Sequence, residues 1–146
     1  MNSRKPSLSN LIELKSALAA GDFEIYRTVD QRVLLAERVR DNLIMDSGVA
    51  AVAGNPLRAS VTFRARSSDF PGETSERLYS KARLLAAKAG IEYSEVDAQR
   101  NEVLDPGDSG KVLDTWYEVV FERTVDDPPA LFEELTRLLS IPKTAG

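Results

Sequence analysis

Two stretches of strict alternation constrain the fold of this chain more than any other feature. Apolar side chains occupy every second position in residues 57–66, and residues 112–125 repeat the pattern. A period of two places the apolar side chains on one face of a β-strand and the polar ones on the other. These apolar positions are Leu57, Ala59, Val61, Phe63 and Ala65 in the first stretch, and Leu113, Tyr117, Val119 and Phe121, in line with Thr115, in the second. Both stretches are therefore predicted to be strands of one sheet.

A helix is predicted between these strands, over residues 74–89. Thr74 or Ser75 can cap its first turn, and Gly90 ends it. A further strand candidate, residues 91–96, follows at once, so the short connections predict a right-handed parallel crossover. The apolar positions of the helix recur at helical spacing: Leu78, Ala82, Leu85, Ala86 and Ala89.

The rest of the chain completes an α+β fold class. The loop 105–111 contains Pro and two Gly, and it predicts a hairpin between residues 96–104 and 112–125. We therefore expect a β-α-β-β core sheet, with N-terminal helices and a C-terminal helix packed on its apolar face. Beneath helix 74–89 this sheet should bury five side chains: Val61, Phe63, Tyr117, Val119 and Phe121.

The flanking elements are assigned from caps and periodicity. Residues 9–20 predict a first helix that Ser9 or Asn10 caps, and Asp127 predicts the cap of the C-terminal helix. The segment 22–46 is ambiguous: residues 23–28 fit a short strand equally well, and a helix is favoured over residues 30–45. Residues 48–56 are small and apolar, which favours a buried strand or tight turn over a phosphate loop.

Length and composition bound the function. A chain of 146 residues predicts a single domain, 1–146, with polar terminal arms at residues 1–8 and 141–146. It has neither cysteine nor histidine, which excludes the usual zinc sites, Cys–His and Ser–His nucleophile pairs, and an imidazole base. No apolar run fits a signal peptide or a membrane span, so we expect a protein of a reducing interior with no membrane association.

The loop 105–111 is the stretch that most resembles a chemical site. Its glycines could point amides at an anion, and Asp105 and Asp108, with Asp114, could hold a weak calcium ion. Its spacing matches neither a P-loop nor an EF-hand, and the same composition is typical of a hairpin turn. We therefore expect no catalytic residue, no cofactor and no metal, and we predict that the protein is not an enzyme.

Charge is spread unevenly along the chain. The first 66 residues hold ten Lys/Arg against seven Asp/Glu, whereas residues 92–134 hold three against thirteen. A solvated acidic surface explains this distribution without any partner, and the acidity argues against wrapping DNA.

The polar faces of the two strands are the predicted contact surface. One carries arginines, the other carries carboxylates with two apolar side chains, and such a mixture is typical of a protein interface. The candidate interface residues are Arg58, Arg64, Arg66, Trp116, Glu118, Val120 and Glu122. Glu118 and Glu122 are expected on the outer face, as ion-pair partners of these arginines. Trp116 should contribute more to assembly than any single charge, and the terminal arms are expected to reach neighbouring subunits.

These residues also resemble a known family. The run Ser60-Val-Thr-Phe-Arg-Ala-Arg-Ser-Ser-Asp-Phe70, a helix with Leu78-Tyr79 and Leu84-Leu85, and a later strand Trp116-Tyr-Glu-Val-Val-Phe121 are similar to tail-completion (tail-terminator) and related minor virion proteins of tailed bacteriophages. The resemblance covers about half of the chain, and the long helical segment expected at residues 22–46 departs from it.

The resemblance implies a structural subunit without chemistry. Such a subunit forms a homo-oligomeric ring at the neck or head-proximal end of the tail, beside other virion proteins. It is assembled in the host cytoplasm and located in the virion, and DNA passes through the ring without specific binding. The competing interpretation is a small cytosolic binding or regulatory module, of the immunity or adaptor type, whose acidic surface covers a basic partner.

The first prediction concerns bound groups. Because the chain has no His or Cys and its glycine-containing loop lacks phosphate-binding spacing, native mass spectrometry should show the bare polypeptide mass for each subunit. A stoichiometric nucleotide or metal ion in that spectrum would contradict the prediction.

Overall fold

The structure is a computed structural model that describes residues 8–146. The predicted arm 1–8 lies outside the described residues except for Leu8. Within the described part, three helices accompany a six-stranded antiparallel sheet of order β1-β2-β3-β4-β6-β5. The strands are β1 Ile25–Val29, β2 Arg32–Arg40, β3 Leu43–Val52, β4 Leu57–Arg66, β5 Ser94–Asp105 and β6 Asp108–Val125. The helices are α1 Leu11–Ala20, α2 Ser75–Lys88 and α3 Pro128–Leu139, with a 3-10 turn at Ser67–Asp69. The prediction of mixed helix and sheet is confirmed.

The chain divides into two compact units. The first unit holds residues up to Val61 together with Arg123–Ser140, and the second holds Thr62–Glu122 with Ile141–Gly146. The single-domain assignment stays a prediction.

The first unit contains the two flanking helices, and both follow their predicted caps. The side chain of Asn10 accepts hydrogen bonds from the amides of Ile12 and Glu13 at the start of α1. Asp127 accepts from the amide of Ala130 at 2.8 Å at the start of α3. The apolar stripes of these helices are buried, with Leu14 and Leu18 in α1 and Leu131, Leu135 and Leu138 in α3.

The prediction of a helix over residues 30–45 is wrong, because this segment forms two β-hairpins. The loop Asp30–Gln31 joins β1 to β2, and Asp30 has the positive φ, 54°, that tight hairpin turns require. Asp41 and Asn42 form the loop that joins β2 to β3, between the paired residues Arg40 and Leu43. Apolar residues of this segment recur at a three-four spacing, which favours a helix, but pairing of β2 with β3 produces strands instead. Residues 48–52 of β3 then supply the buried strand predicted for the small apolar stretch.

The second unit contains the end of β4, helix α2, and the strands β5 and β6. Thr74 caps α2 by accepting from the amide of Arg77 at 3.2 Å. The predicted hairpin is confirmed, with register from Ser94↔Glu122 to Asp105↔Asp108. In the sheet order, β6 lies between β4 and β5, the two strands of the predicted parallel crossover. A strand that returns antiparallel to both separates them.

The core of the second unit lies between α2 and the sheet. The ring centres of Tyr79 and Tyr117 lie 5.1 Å apart edge to face, and those of Phe63 and Phe121 lie 6.0 Å apart. Leu78 packs with Tyr117 in the same cluster. All five side chains predicted to be buried, Val61, Phe63, Tyr117, Val119 and Phe121, are less than a tenth exposed.

The fold predicts a large cost for Phe63→Ala. Phe63 is fully buried, so truncation leaves a cavity and should lower the free energy of unfolding by about 3–5 kcal/mol. Chemical denaturation followed by circular dichroism measures the change. The matched control is Ile12→Ala on the exposed side of α1, which should stay within about 0.5 kcal/mol of the wild type. A Phe63→Ala protein as stable as this control would contradict the packing.

Candidate assembly surface

Three of the predicted contact residues form a cluster within the second unit. The guanidinium carbon of Arg64 lies 4.4 Å from the centre of the Trp116 ring. Its Nη2 lies 3.0 Å from Oε2 of Glu118, and the two side chains are only 14% and 10% exposed. Asn101 on β5 donates to the other carboxylate oxygen of Glu118. The arginine–glutamate pairing expected from the sequence thus occurs inside the chain, with a neighbouring strand fixing the carboxylate.

Arg66 stacks on the same tryptophan but differs in its electrostatics. Its guanidinium carbon lies 5.3 Å from the Trp116 ring centre. No carboxylate within residues 8–146 forms an ion pair with it, and its Nε, like that of Arg64, is buried without a hydrogen-bond acceptor. Two guanidinium groups therefore contact one indole ring, and the charge of only one of them is compensated by the carboxylate of Glu118.

Asp114 orients the indole ring of Trp116 by a hydrogen bond. Its Oδ2 accepts a hydrogen bond from Trp116 Nε1 at 3.1 Å. It also accepts from the hydroxyl of Ser67, and from both the amide and the hydroxyl of Ser68. Burial opposes ionisation, but the hydrogen bonds from Ser68, Thr115 and Ser67 outweigh it and lower the pKa of Asp114 below its ordinary value of 3.8. The carboxylate thereby ties the 3-10 turn to β6.

Several of the predicted contact residues are less accessible than the sequence suggested. Glu118 is 8% exposed, Val120 6% and Glu122 5%, so the outer face on which they were expected is largely buried within the chain. Every residue from Tyr117 to Glu122 is buried. Because consecutive strand residues point to opposite faces, both faces of β6 are covered there. Arg58 on β4 lies opposite Val52 of β3 and is partly buried.

The end of the β5–β6 hairpin is an exposed apolar surface that the sequence analysis did not predict. Leu104 pairs with Val112 across the hairpin, and both are 45% exposed. Leu113, which alternation assigned to the apolar face of the sheet, is 51% exposed. Almost all of β5 and the first six residues of β6 are exposed, so neither face of this part is covered. A signal was present in the sequence, since Leu104 and Leu113 are each followed directly by an aspartate, Asp105 and Asp114.

The loop at the end of this hairpin forms a turn. Asp105 Oδ1 accepts from the amide of Gly107 at 2.8 Å, and Asp108 Oδ1 accepts from the amide of Gly110 at 3.1 Å. These two carboxylates therefore stabilise their own loop, which is the usual role of aspartate in turns. Among the described residues, no three His, Cys, Asp or Glu side chains are grouped as a metal site would require.

The C-terminal arm, residues 141–146, packs within its own chain. The amide of Arg64 donates to the carbonyl of Lys143 at 2.9 Å, and the amide of Ala145 donates to the carbonyl of Arg64 at 2.8 Å. Thr144 forms a parallel bridge with Arg64, and Ala145 is buried. Within the chain, this arm therefore pairs with the backbone of β4 at Arg64.

Comparisons with known protein families, with characterised proteins and with solved structures return no match. None of the helices in residues 8–146 has both the length and the apolar character needed to cross a membrane.

The hydrogen bonds of Asp114 predict a pH-dependent stability. Because its pKa is lowered by folding, the ionised carboxylate stabilises the protein above about pH 4, and this contribution is lost as pH falls through the lowered pKa. Asp114→Asn should therefore lower the free energy of unfolding by about 1–3 kcal/mol at neutral pH, and by progressively less below pH 4. Urea denaturation at a series of pH values measures this difference.

The exposed Asp126→Asn is the matched control, and it should show no comparable loss at neutral pH. An Asp114→Asn deficit that stays constant down to pH 3 would show that the carboxylate charge is not the cause.

Proposed function

We propose that this protein is a non-enzymatic structural subunit that assembles into a homo-oligomeric ring. The ring is of the kind found at the neck or the head-proximal end of the tail in tailed bacteriophages, as a tail terminator or connector. The β-α-β-β segment, made of β4, α2, β5 and β6, is the assembly core in this proposal. The protein is accordingly made in the host cytoplasm and located in the virion.

The observation that carries the proposal is the uncovered end of the β5–β6 hairpin. An isolated hairpin is at best marginally stable in water, and three or more strands or a covering helix are normally needed. This one extends beyond its support with Leu104, Val112 and Leu113 about half exposed. Clustered exposed apolar side chains among charged ones are typical of a surface that a protein partner covers.

The interior of the chain supports a structural role in a second way. The most elaborate polar cluster, around Arg64, Trp116 and Glu118, is an ion pair stacked on an aromatic ring and fixed by hydrogen bonds. Such a cluster holds the strands β4, β5 and β6 in register while the exposed hairpin remains available for contact.

The charge of the hairpin fits a ring that conducts DNA. Its carboxylates that are at least partly exposed outnumber its cations: they are Glu95, Asp97, Glu102, Asp105, Asp108 and Asp114, against Arg100, Lys111 and Arg123. Acidic side chains that line a channel repel phosphates and keep DNA from binding as it passes. Neighbouring virion proteins would then contact the remaining surfaces of the ring.

The mass of the protein in solution tests this proposal. Light scattering after size exclusion should give a discrete multiple of the 16.1 kDa subunit, and negative-stain electron microscopy should show closed rings with a central channel. Removing the exposed apolar pair with Leu104→Ser and Val112→Ser should shift the mass toward that of the monomer, because the contact loses its apolar part.

The matched control is Ile12→Ser, which removes an exposed apolar side chain from α1 and should leave the oligomer intact. Circular dichroism of each variant shows whether the fold is retained. A wild-type protein that stays monomeric at the highest concentrations, and that binds a basic heterologous protein tightly, would replace the ring with the cytosolic binding module.

A further inference from the structure

A shallow groove beside helix α2 has the composition to receive an acidic segment. It has a volume of about 250 Å³ and is formed by Phe70, Leu84 and Leu85, with Lys81 and Lys88 at its sides and the C-terminal arm next to it. Leu84 is 54% exposed, so its side chain is available for contact. The ammonium group of Lys81 lies 4.5 Å from the centre of the Phe70 ring.

The two lysines of this groove differ from the other cations of α2. Arg77 pairs with Glu73, and Arg83 makes two hydrogen bonds to Glu95 of 2.8 and 3.0 Å. Neither Lys81 nor Lys88 has an ion pair within the described part of the chain. The groove therefore presents an apolar floor with two lysines that form no ion pair with residues 8–146.

The end of the β5–β6 hairpin has the complementary character. Leu104 and Val112 lie side by side across the two strands, and each is about half exposed. Asp105 and Asp108 follow them at the turn, where each carboxylate contacts one loop amide and no cation among residues 8–146. One surface is thus apolar and acidic, and the other is apolar and basic.

The two surfaces are not in contact within one chain, since Leu104, Val112 and Leu84 are all substantially exposed. We propose that the Leu104–Asp108 end of the hairpin of one copy docks into the Lys81–Lys88 groove of a second copy. This inference rests on the proposed function and names the contact that builds the ring. The contact joins two different surfaces, so each subunit uses one of each, and repetition closes a ring when the rotation permits.

The two parts of the contact have different roles. In this contact, Leu104 and Val112 pack on Leu84 and Phe70. This packing removes apolar surface from water. The aspartates opposite the lysines select the orientation and increase the association rate, and reversing one sign places like charges together.

Chemical crosslinking between two single-cysteine variants tests which surfaces meet. The chain has no native cysteine, so Ser109→Cys marks the hairpin and Ala87→Cys marks the helix next to Lys88, with every proposed charge retained. Mixing the two tagged full-length proteins with a short bismaleimide should give mostly the mixed 109–87 product. A Ser16→Cys protein on exposed α1 is the control and should crosslink to neither.

Charge reversal tests the pairing independently. Lys88→Glu alone and Asp108→Lys alone should each raise the dissociation constant of the oligomer about tenfold or more, because each places like charges together. The chain that carries both substitutions should recover most of the wild-type assembly. Sedimentation velocity measures the constant, and circular dichroism verifies that each variant is folded.

The outcomes separate this inference from the proposed function. A wild-type ring that gives no mixed crosslink, or whose single charge reversals leave assembly unchanged, overturns the hairpin–groove contact and leaves the ring standing. Single reversals that lose assembly without recovery in the double variant also overturn the pairing. A wild type that is monomeric at every concentration overturns both.

Discussion

Strand β6 is the element on which the second unit depends, because its two halves have opposite environments. Residues 117–122 are buried on both faces, whereas the first six residues of the strand are exposed. At about 3.3 Å per residue, the exposed part extends the hairpin by roughly 20 Å. The buried half anchors the strand by packing Tyr117 and Phe121 against Tyr79 and Phe63. A rigid anchor of this kind lets a hairpin project without unfolding.

The cluster around Trp116 explains how charged residues are tolerated in the anchored half. An isolated buried carboxylate costs several kcal/mol of desolvation, and only a well-oriented partner with further hydrogen bonds offsets this cost. Glu118 receives a contact from Arg64 and one from Asn101. Asp114 in turn orients the indole ring against which both arginines stack. This network should favour one register of β4, β5 and β6, because its contacts form in only one alignment of these strands.

The proposed assembly uses surfaces whose side chains take no part in the Trp116 cluster. The residues first expected to form the contact surface are largely occupied within the chain, and Arg66 is the exception whose charge has no carboxylate near it in the described residues. Exposed apolar area and uncompensated charge are found at the hairpin end and at the groove of α2. A heterologous contact between them uses both surfaces of every subunit, which is the geometry that a closed ring requires.

The sequence by itself determined the elements whose signals are local. The caps Asn10, Thr74 and Asp127 and the turn at 105–111 were all predicted, because each is fixed by hydrogen bonds among neighbouring residues. The strand at residues 57–66 and the burial of Phe63 were also predicted, because a strict period of two in apolar residues is typical of a β-strand with one buried face. The general α+β class followed from these elements.

Only the tertiary structure decided the rest. Residues 25–40 became strands because hairpin pairing outweighed an ambiguous apolar spacing. Glu118, Val120 and Glu122 were buried although their alternation resembled that of a solvated face. Leu104, Val112 and Leu113 remained exposed although their apolar character favoured the core. A period of two shows which side chains share a face of a strand. What covers that face depends on residues distant in the chain, so the sequence alone could not predict which faces are buried.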